Sequence, residues 1–198
     1  MKKLATIVVM LISSGAAQAA LIDRSGGFIY DDILDITWLQ DAGISGADTW
    51  SNQLTWADSL SLYDSVRDVT WDDWRLASMD VNGDGDVTSC QHDDSELECR
   101  DNEYSYLAEY YGIYRGTPGP FLNIQIQYVS ATPFPPDWAW GAYFVDSEYG
   151  NDPDQASKLR YAWAVRDGDV AAIPVPAAVW LFGSSLGLLG FWRRKHSQ

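Results

Sequence analysis

The sequence predicts an α+β domain whose antiparallel sheet joins both ends of the chain. Three observations point there. A strand, turn, strand pattern opens the body of the chain at GGFIYDDILDITWLQDA, helical periodicity follows it, and the last third alternates strand-like segments with turns. Helices early and strands late, with an opening hairpin free to return to the terminal strand, describe a segregated arrangement rather than alternating βαβ units.

In the hairpin, Phe28 to Tyr30 and Ile36 to Leu39 flank an Asp-rich turn. Leu54, Ala57, Leu60 and Leu62, with Trp56 and Tyr63, carry the spacing of an amphipathic helix that must stop before Trp71-Asp72-Asp73-Trp74-Arg75-Leu76. A second helix is expected from Asn102 or Glu103 to Tyr111, with Gly112 suited to its end. Strands are expected over Phe121 to Ala131, Trp138 to Asp146 and Leu159 to Arg166, with Gly150-Asn151-Asp152-Pro153 as the turn between the last two. No internal repeat and no second domain is evident.

Both termini read as targeting segments. Lys2 and Lys3, the apolar run Leu4 to Ile12 and Ala17-Gln18-Ala19 make residues 1–19 an export signal, with the mature chain starting at Ala20 or Leu21. At the other end two prolines precede an apolar stretch from Ala177 to Trp192 and then Arg193-Arg194-Lys195, the order of a stop, a membrane span and a cytoplasmic basic clamp. Val175-Pro176-Ala177-Ala178-Val179-Trp180-Leu181-Phe182-Gly183-Ser184, with the Gly/Leu run and the basic cluster, resembles a PEP-CTERM sorting tail of the Val-Pro type. For residues 174–198 that resemblance implies export, transient membrane anchoring, processing by an exosortase-type enzyme, and a destination at the cell surface or in the extracellular matrix.

The remaining stretch, 20–173, is the size of one domain with a core of its own. Five basic residues fall in the terminal segments, leaving 8 of 13 against all 28 acidic ones, a charge of −20. Such a surface repels nucleic acid, anionic lipid and sulfated polysaccharide. Disorder is the alternative meaning of that acidity, but many tryptophans and tyrosines give the chain apolar surface to bury.

Tyr30-Asp31-Asp32, Ile36-Thr37-Trp38-Leu39-Gln40-Asp41-Ala42, Trp74-Arg75-Leu76 and Trp163-Ala164-Val165-Arg166-Asp167-Gly168, in that order, resemble the Lcl C-terminal domain family. The resemblance implies a C-type-lectin-like fold on a bacterial exported protein, with glycan binding as its general role.

The stretch MDVNGDGDVTSC is the most chemically explicit. Asp80, Asn82 and Asp84 are spaced to point oxygen ligands at one hard cation, Gly85 permits the sharp turn, Asp86 offers its backbone carbonyl, and Thr88 extends the pattern. Gln91 stands where an EF-hand places its bidentate glutamate, so Asp93, Asp94 or Glu96 would have to complete a shell for calcium. A solvated Asx/Gly turn is the competing reading. Cys90 and Cys99 are the only cysteines; in an oxidising compartment a disulfide between them would close the loop QHDDSELE, contributing roughly 2.5 to 3 kcal/mol. With only His92 nearby, a zinc set is incomplete.

Trp138 and Trp140 alternate with Ala139, so on a strand both rings share one face, either a sugar-stacking platform or part of the core. Tyr106, Tyr110 and Tyr114 have helical spacing and leave the same two readings open. Catalysis has little material: Gly183-Ser184-Ser185-Leu186-Gly187 matches a nucleophile pattern only inside the apolar tail, His92 is the one histidine of the mature part, and no carboxylate pair is singled out. The expectation is a noncatalytic exported module that binds surface glycan or extracellular polysaccharide and carries a structural calcium loop. A structural surface protein with a protein partner is the alternative, and a glycosidase the third reading.

Overall fold

The structure, a computed structural model, describes residues 20–87 and 100–170. The expected signal segment 1–19, the residues Thr88, Cys90, His92, Asp93, Asp94, Glu96 and Cys99, and the expected sorting tail with Val175, Pro176 and the apolar stretch 177–192, lie outside them. Among the described residues no helix is long and apolar enough to cross a membrane.

Strands dominate, with two helices among the described residues. The opening hairpin forms as the sequence suggests: β2 (Phe28–Asp31) pairs with β3 (Ile36–Leu39) in the register Tyr30↔Thr37. β3 also pairs with the last described strand, β11 (Ala164–Asp167), through Trp38↔Val165, which joins the two ends of the domain. With β1 (Leu21–Asp23) outside β2 and β6 (Arg75–Leu76) outside β11, the five strands form an antiparallel sheet in the order β1-β2-β3-β11-β6. All four residues of β3 are buried, as a strand flanked and covered on both faces requires.

The second sheet holds β10 (Tyr161–Ala162), β7 (Gln127–Phe134), β8 (Trp138–Phe144) and β9 (Tyr149–Gln155), in that order, with β10 parallel to β7. Helix α1 (Trp50–Asp58) buries Gln53 and Ala57 against β6 and β7. Helix α2 (Glu103–Glu109) has six successive buried residues, Glu103 to Ala108, and is capped by Asn102, whose Oδ1 accepts from Ser105 N at 3.0 Å.

Several expected boundaries shift, each for a structural reason. The run Phe121 to Ala131 becomes strand only at Gln127. Before it, Asn123 turns to φ 55°, while Leu122 N donates to Gln40 O and Ala42 N to Leu122 O, so this segment braces the end of β3. The expected turn at Gly150 to Pro153 is instead β9, paired with β8 along its length. Pro153 is tolerated because β9 is an edge strand and has no neighbour needing its missing N–H. The run Leu159 to Arg166 is two strands in two sheets, divided at Trp163. The first helix ends at Asp58, and Leu62 and Tyr63 belong to β4 (Leu62–Asp64), which pairs with β5 (Val69–Trp71) as a two-stranded ribbon.

That ribbon also corrects the absence of a repeat. Tyr30-Asp31-Asp32-Ile33-Leu34-Asp35-Ile36-Thr37-Trp38 and Tyr63-Asp64-Ser65-Val66-Arg67-Asp68-Val69-Thr70-Trp71 share one pattern and build one hairpin twice. In each, the first aspartate accepts from two turn N–H groups, Ile33 and Leu34 for Asp31, Val66 and Arg67 for Asp64. In each, the tyrosine hydroxyl donates to the aspartate five residues on at 2.8 Å, and that aspartate, Asp35 or Asp68, sits at φ 53° or 54°. The left-handed conformation closes the turn, and aspartate tolerates it better than most non-glycine residues.

The copies differ in their electrostatics. Both first aspartates are fully buried, yet burial raises Asp31 above its ordinary value, outweighing the two turn N–H groups, the Tyr111 hydroxyl at 2.8 Å and the Trp38 indole, none of which carries a charge. For Asp64 burial pushes the same way, but Arg67, whose Nη1 lies 2.7 Å from Oδ2, and the turn N–H groups outweigh it and hold the carboxyl below its ordinary value. Leu34 occupies the place of Arg67 in the first copy.

Stability should therefore depend on pH in opposite senses at the two sites. A lowered folded value contributes stability above the unfolded value, about 3.9, that is lost as pH falls through the folded value; a raised one favours the protein at low pH and is lost as pH rises through the folded value. The melting-temperature gap between wild type and Asp64→Asn should widen in favour of wild type between pH 3 and 6, roughly the carboxylate range, while the gap for Asp31→Asn moves the other way. Parallel melts across that range check both signs.

Candidate metal centre

The acidic stretch leaves the core at Met79, which is fully buried and donates through its backbone N to Thr132 Oγ1 at 2.9 Å. The chain returns at Asp101, immediately before the cap of α2. The described segments on either side of residues 88–99 are pinned together as a stem: Val81 N donates to Asp101 O at 3.1 Å, Asn82 N to Asp101 Oδ1 at 2.8 Å, and Glu103 N to Ser78 O at 3.0 Å.

Beyond the stem the loop folds on its own carboxylates. Asp80 Oδ1 accepts from Gly83 N at 2.7 Å and Asp84 N at 3.1 Å, and its Oδ2 accepts from Gly85 N at 3.0 Å. Asn82 Oδ1 takes Asp84 N at 2.8 Å and Asp84 Oδ1 takes Asp86 N at 2.8 Å. Gly83 at φ 76° and Gly85 at φ 87° supply the two left-handed residues that let successive N–H groups point inward.

The result brings one carboxylate oxygen each from Asp80, Asp84 and Asp101 within 4.8 Å of one another, with Asp80 and Asp101 half-buried and Asp84 exposed. Of the sequence-designated ligands, Asp80 and Asp84 meet. Asn82 turns its oxygen onto the Asp84 N–H, and Asp86, expected to offer its backbone carbonyl, adds no carboxylate to the group. Asp101 is not among the ligands the sequence suggests: it joins from the far side of the stem, and no spacing template anchored at Asp80 reaches it. Chemically the cluster offers only hard oxygen donors, each carboxylate retaining acceptor capacity beyond its N–H bonds, the donor type that suits calcium or magnesium and not a soft metal. Thr88, Asp93 and the Cys90–Cys99 pair lie outside the described residues.

The stem is fastened to the main sheet by a second charged group. Glu103, in the first turn of α2 and nearly fully buried, accepts from Arg75 Nη1 at 2.9 Å and Nη2 at 2.6 Å and from Ser78 N at 2.7 Å. Arg75, on β6, also reaches Asp167 on β11 at 2.8 Å. Burial works against its charge, but Glu103 and Asp167 outweigh that, and the guanidinium is held above its ordinary value.

No family model, curated protein or solved structure matches the chain.

The aromatic candidates separate. Trp138 is 38 % exposed at the start of β8; Trp140 is half-buried, edge-on to Phe134 at 5.6 Å. Both lie outward of Ala139, which is buried, so neither belongs to the fully buried core. Tyr106 is buried and stacks on the more exposed Tyr110 at 4.5 Å, while Tyr114 is half-buried.

Glu103→Gln should lower stability by about 2 to 3 kcal/mol. That is less than for a wholly buried pair, because the Arg75 side chain is 34 % exposed and keeps Asp167. Chemical denaturation checks the magnitude, and proteolysis within residues 81–100 should accelerate as the stem loosens.

Proposed function

We propose that the chain is a noncatalytic exported module of a bacterial surface or extracellular matrix, C-type-lectin-like in fold and related to the Lcl C-terminal domain family. It associates with extracellular polysaccharide or another surface glycan and carries calcium as a structural ion in the loop of Asp80, Asn82, Asp84 and Asp86, completed by Asp101. The tail delivers it to the membrane and to an exosortase-type enzyme before it reaches its final site.

One observation carries this reading. The four separated words of the resemblance form β2, β3, β6 and β11, and these assemble in one sheet although they are spread over more than a hundred residues. The acidic cluster of Asp80, Asp84 and Asp101 supports the calcium assignment through its donor type, and the charge of the mature part directs the glycan reading away from sulfated chains. A second reading, a structural surface protein with a protein partner, draws support from Ile44, Tyr63 and Leu122, all more than half exposed around a recess of about 320 Å³. A glycosidase is the third, and release of sugar from a broad glycan panel would establish it.

Calcium bound only to the folded state stabilises it by RT ln(1 + [L]/Kd), about 2.7 kcal/mol at a hundredfold excess over Kd. A melt of the full chain should rise saturably with calcium. Asp101→Asn should remove most of that increment while leaving the melt in chelator near that of wild type. An unchanged melt across millimolar calcium would make the loop an Asx turn alone.

Pull-down with polysaccharide from a producing cell should retain the full chain and lose it after glycan digestion. Partners that persist after digestion support the protein-partner reading instead.

A further inference from the structure

We propose that the groove between the start of α1, the tip of the β7–β8 hairpin and the end of β9 is a binding site for a neutral oligosaccharide. This rests on the glycan reading above and assigns it a place and a sugar class. The groove is an open recess of about 730 Å³, within the size of small-ligand sites, and its lining includes Trp50, partly packed on the core, and Trp138, 38 % exposed.

Both walls are set by the fold. Trp50 Nε1 donates to Ser130 O at 2.9 Å and Trp50 N to Ala156 O at 3.0 Å, which fixes the indole between helix and sheet. Ala156 N in turn donates to Asp137 O at 2.9 Å, so the hairpin tip that carries Trp138 is tied to the end of β9. A hexopyranose presents an apolar C–H face and a rim of hydroxyls, and indole faces are matched to the first. For the second, the groove offers Ser51, Asp137, Gln155 and Ser157, all exposed, whose side chains make no hydrogen bond among the described residues.

Charge selects the class. Among the described residues no cation lines the groove and Asp137 is its one ionisable residue, while the nearby Lys158 and Arg160 are paired with Asp154, so a sulfated or uronate sugar would meet a carboxylate without a free cation beside it. A proline-rich peptide also packs on aromatic rings, but it would leave the carboxylate, amide and hydroxyl groups unused.

The test is isothermal titration of the full chain in a sugar-free detergent with four probes: cellohexaose, mannohexaose, a heparin hexasaccharide and decaproline. At least one neutral hexasaccharide should bind and the heparin fragment should not. Trp138→Ala should weaken the neutral sugar about tenfold or more, and Gln155→Ala by about two- to fivefold, with melting temperatures close to wild type because both side chains are exposed. Trp50→Ala is unsuitable, since it also removes the Ser130 bond. Full affinity in Trp138→Ala overturns the groove, as does Trp138-dependent binding of decaproline with no neutral sugar bound. If Trp138→Ala binds no neutral hexasaccharide more weakly than wild type yet the polysaccharide pull-down persists, the groove is wrong and the glycan reading stands; if wild type binds no polysaccharide, both fall.

Discussion

Trp163 stands where the chain leaves one sheet for the other, and the burial of its indole is the constraint on which the two sheets depend. The residues before it pair with β7 and those after it with β3 and β6, so a single fully buried side chain joins both layers. Its Nε1 donates to Leu39 O at 2.7 Å, which satisfies the one polar atom that burial would otherwise leave costly. Around the ring lie Phe121 at 4.8 Å, Trp38 at 5.2 Å, Tyr128 at 5.4 Å and Phe144 at 6.1 Å, drawn from both sheets and from the segment that braces β3. Aromatic packing of this density lets a chain with so many carboxylates fold around a dry centre.

The acidity is handled locally. Asp31, Asp64 and Asp80 each accept backbone N–H groups within their own turns, so charge repulsion is met by hydrogen bonds that also fix the turn geometry. Where a carboxylate reaches farther, it fastens one element to another: Glu103 holds α2 to β6 through Arg75, and Asp73 holds Arg166, whose guanidinium also lies 4.2 Å from the Trp71 ring centroid. The second hairpin thereby stays attached to the main sheet without pairing with it.

Much of this was legible in the sequence because it is local. The opening hairpin, the Asn102-capped helix and the sharp loop at Asp80 to Asp86 each depend on residues within a few positions of one another, and their patterns read directly. The repeated hairpin was equally local and was passed over because helical spacing from Leu54 onward ran into Leu62 and Tyr63. Pattern alone cannot choose between a helix that continues and a strand that begins when the next turn is not recognised. In the same way, Gly150 to Pro153 has turn composition, and only the availability of an open sheet edge beside β8 makes it a strand.

The sequence by itself determined the Asp-rich turns of the opening hairpin and of Asp80 to Asp86, the aromatic richness that makes a core possible and the oxygen-donor character of the acidic stretch. Tertiary structure decided which distant residues meet. It brought Asp101 to Asp80 and Asp84, gathered Trp50 and Trp138 along one groove, and carried the Tyr111 hydroxyl to Asp31 from 80 residues away. The physical reason is one of range. A turn is closed by hydrogen bonds among neighbours, whereas a cluster or a groove exists only when burial elsewhere has fixed the paths of segments far apart in the chain.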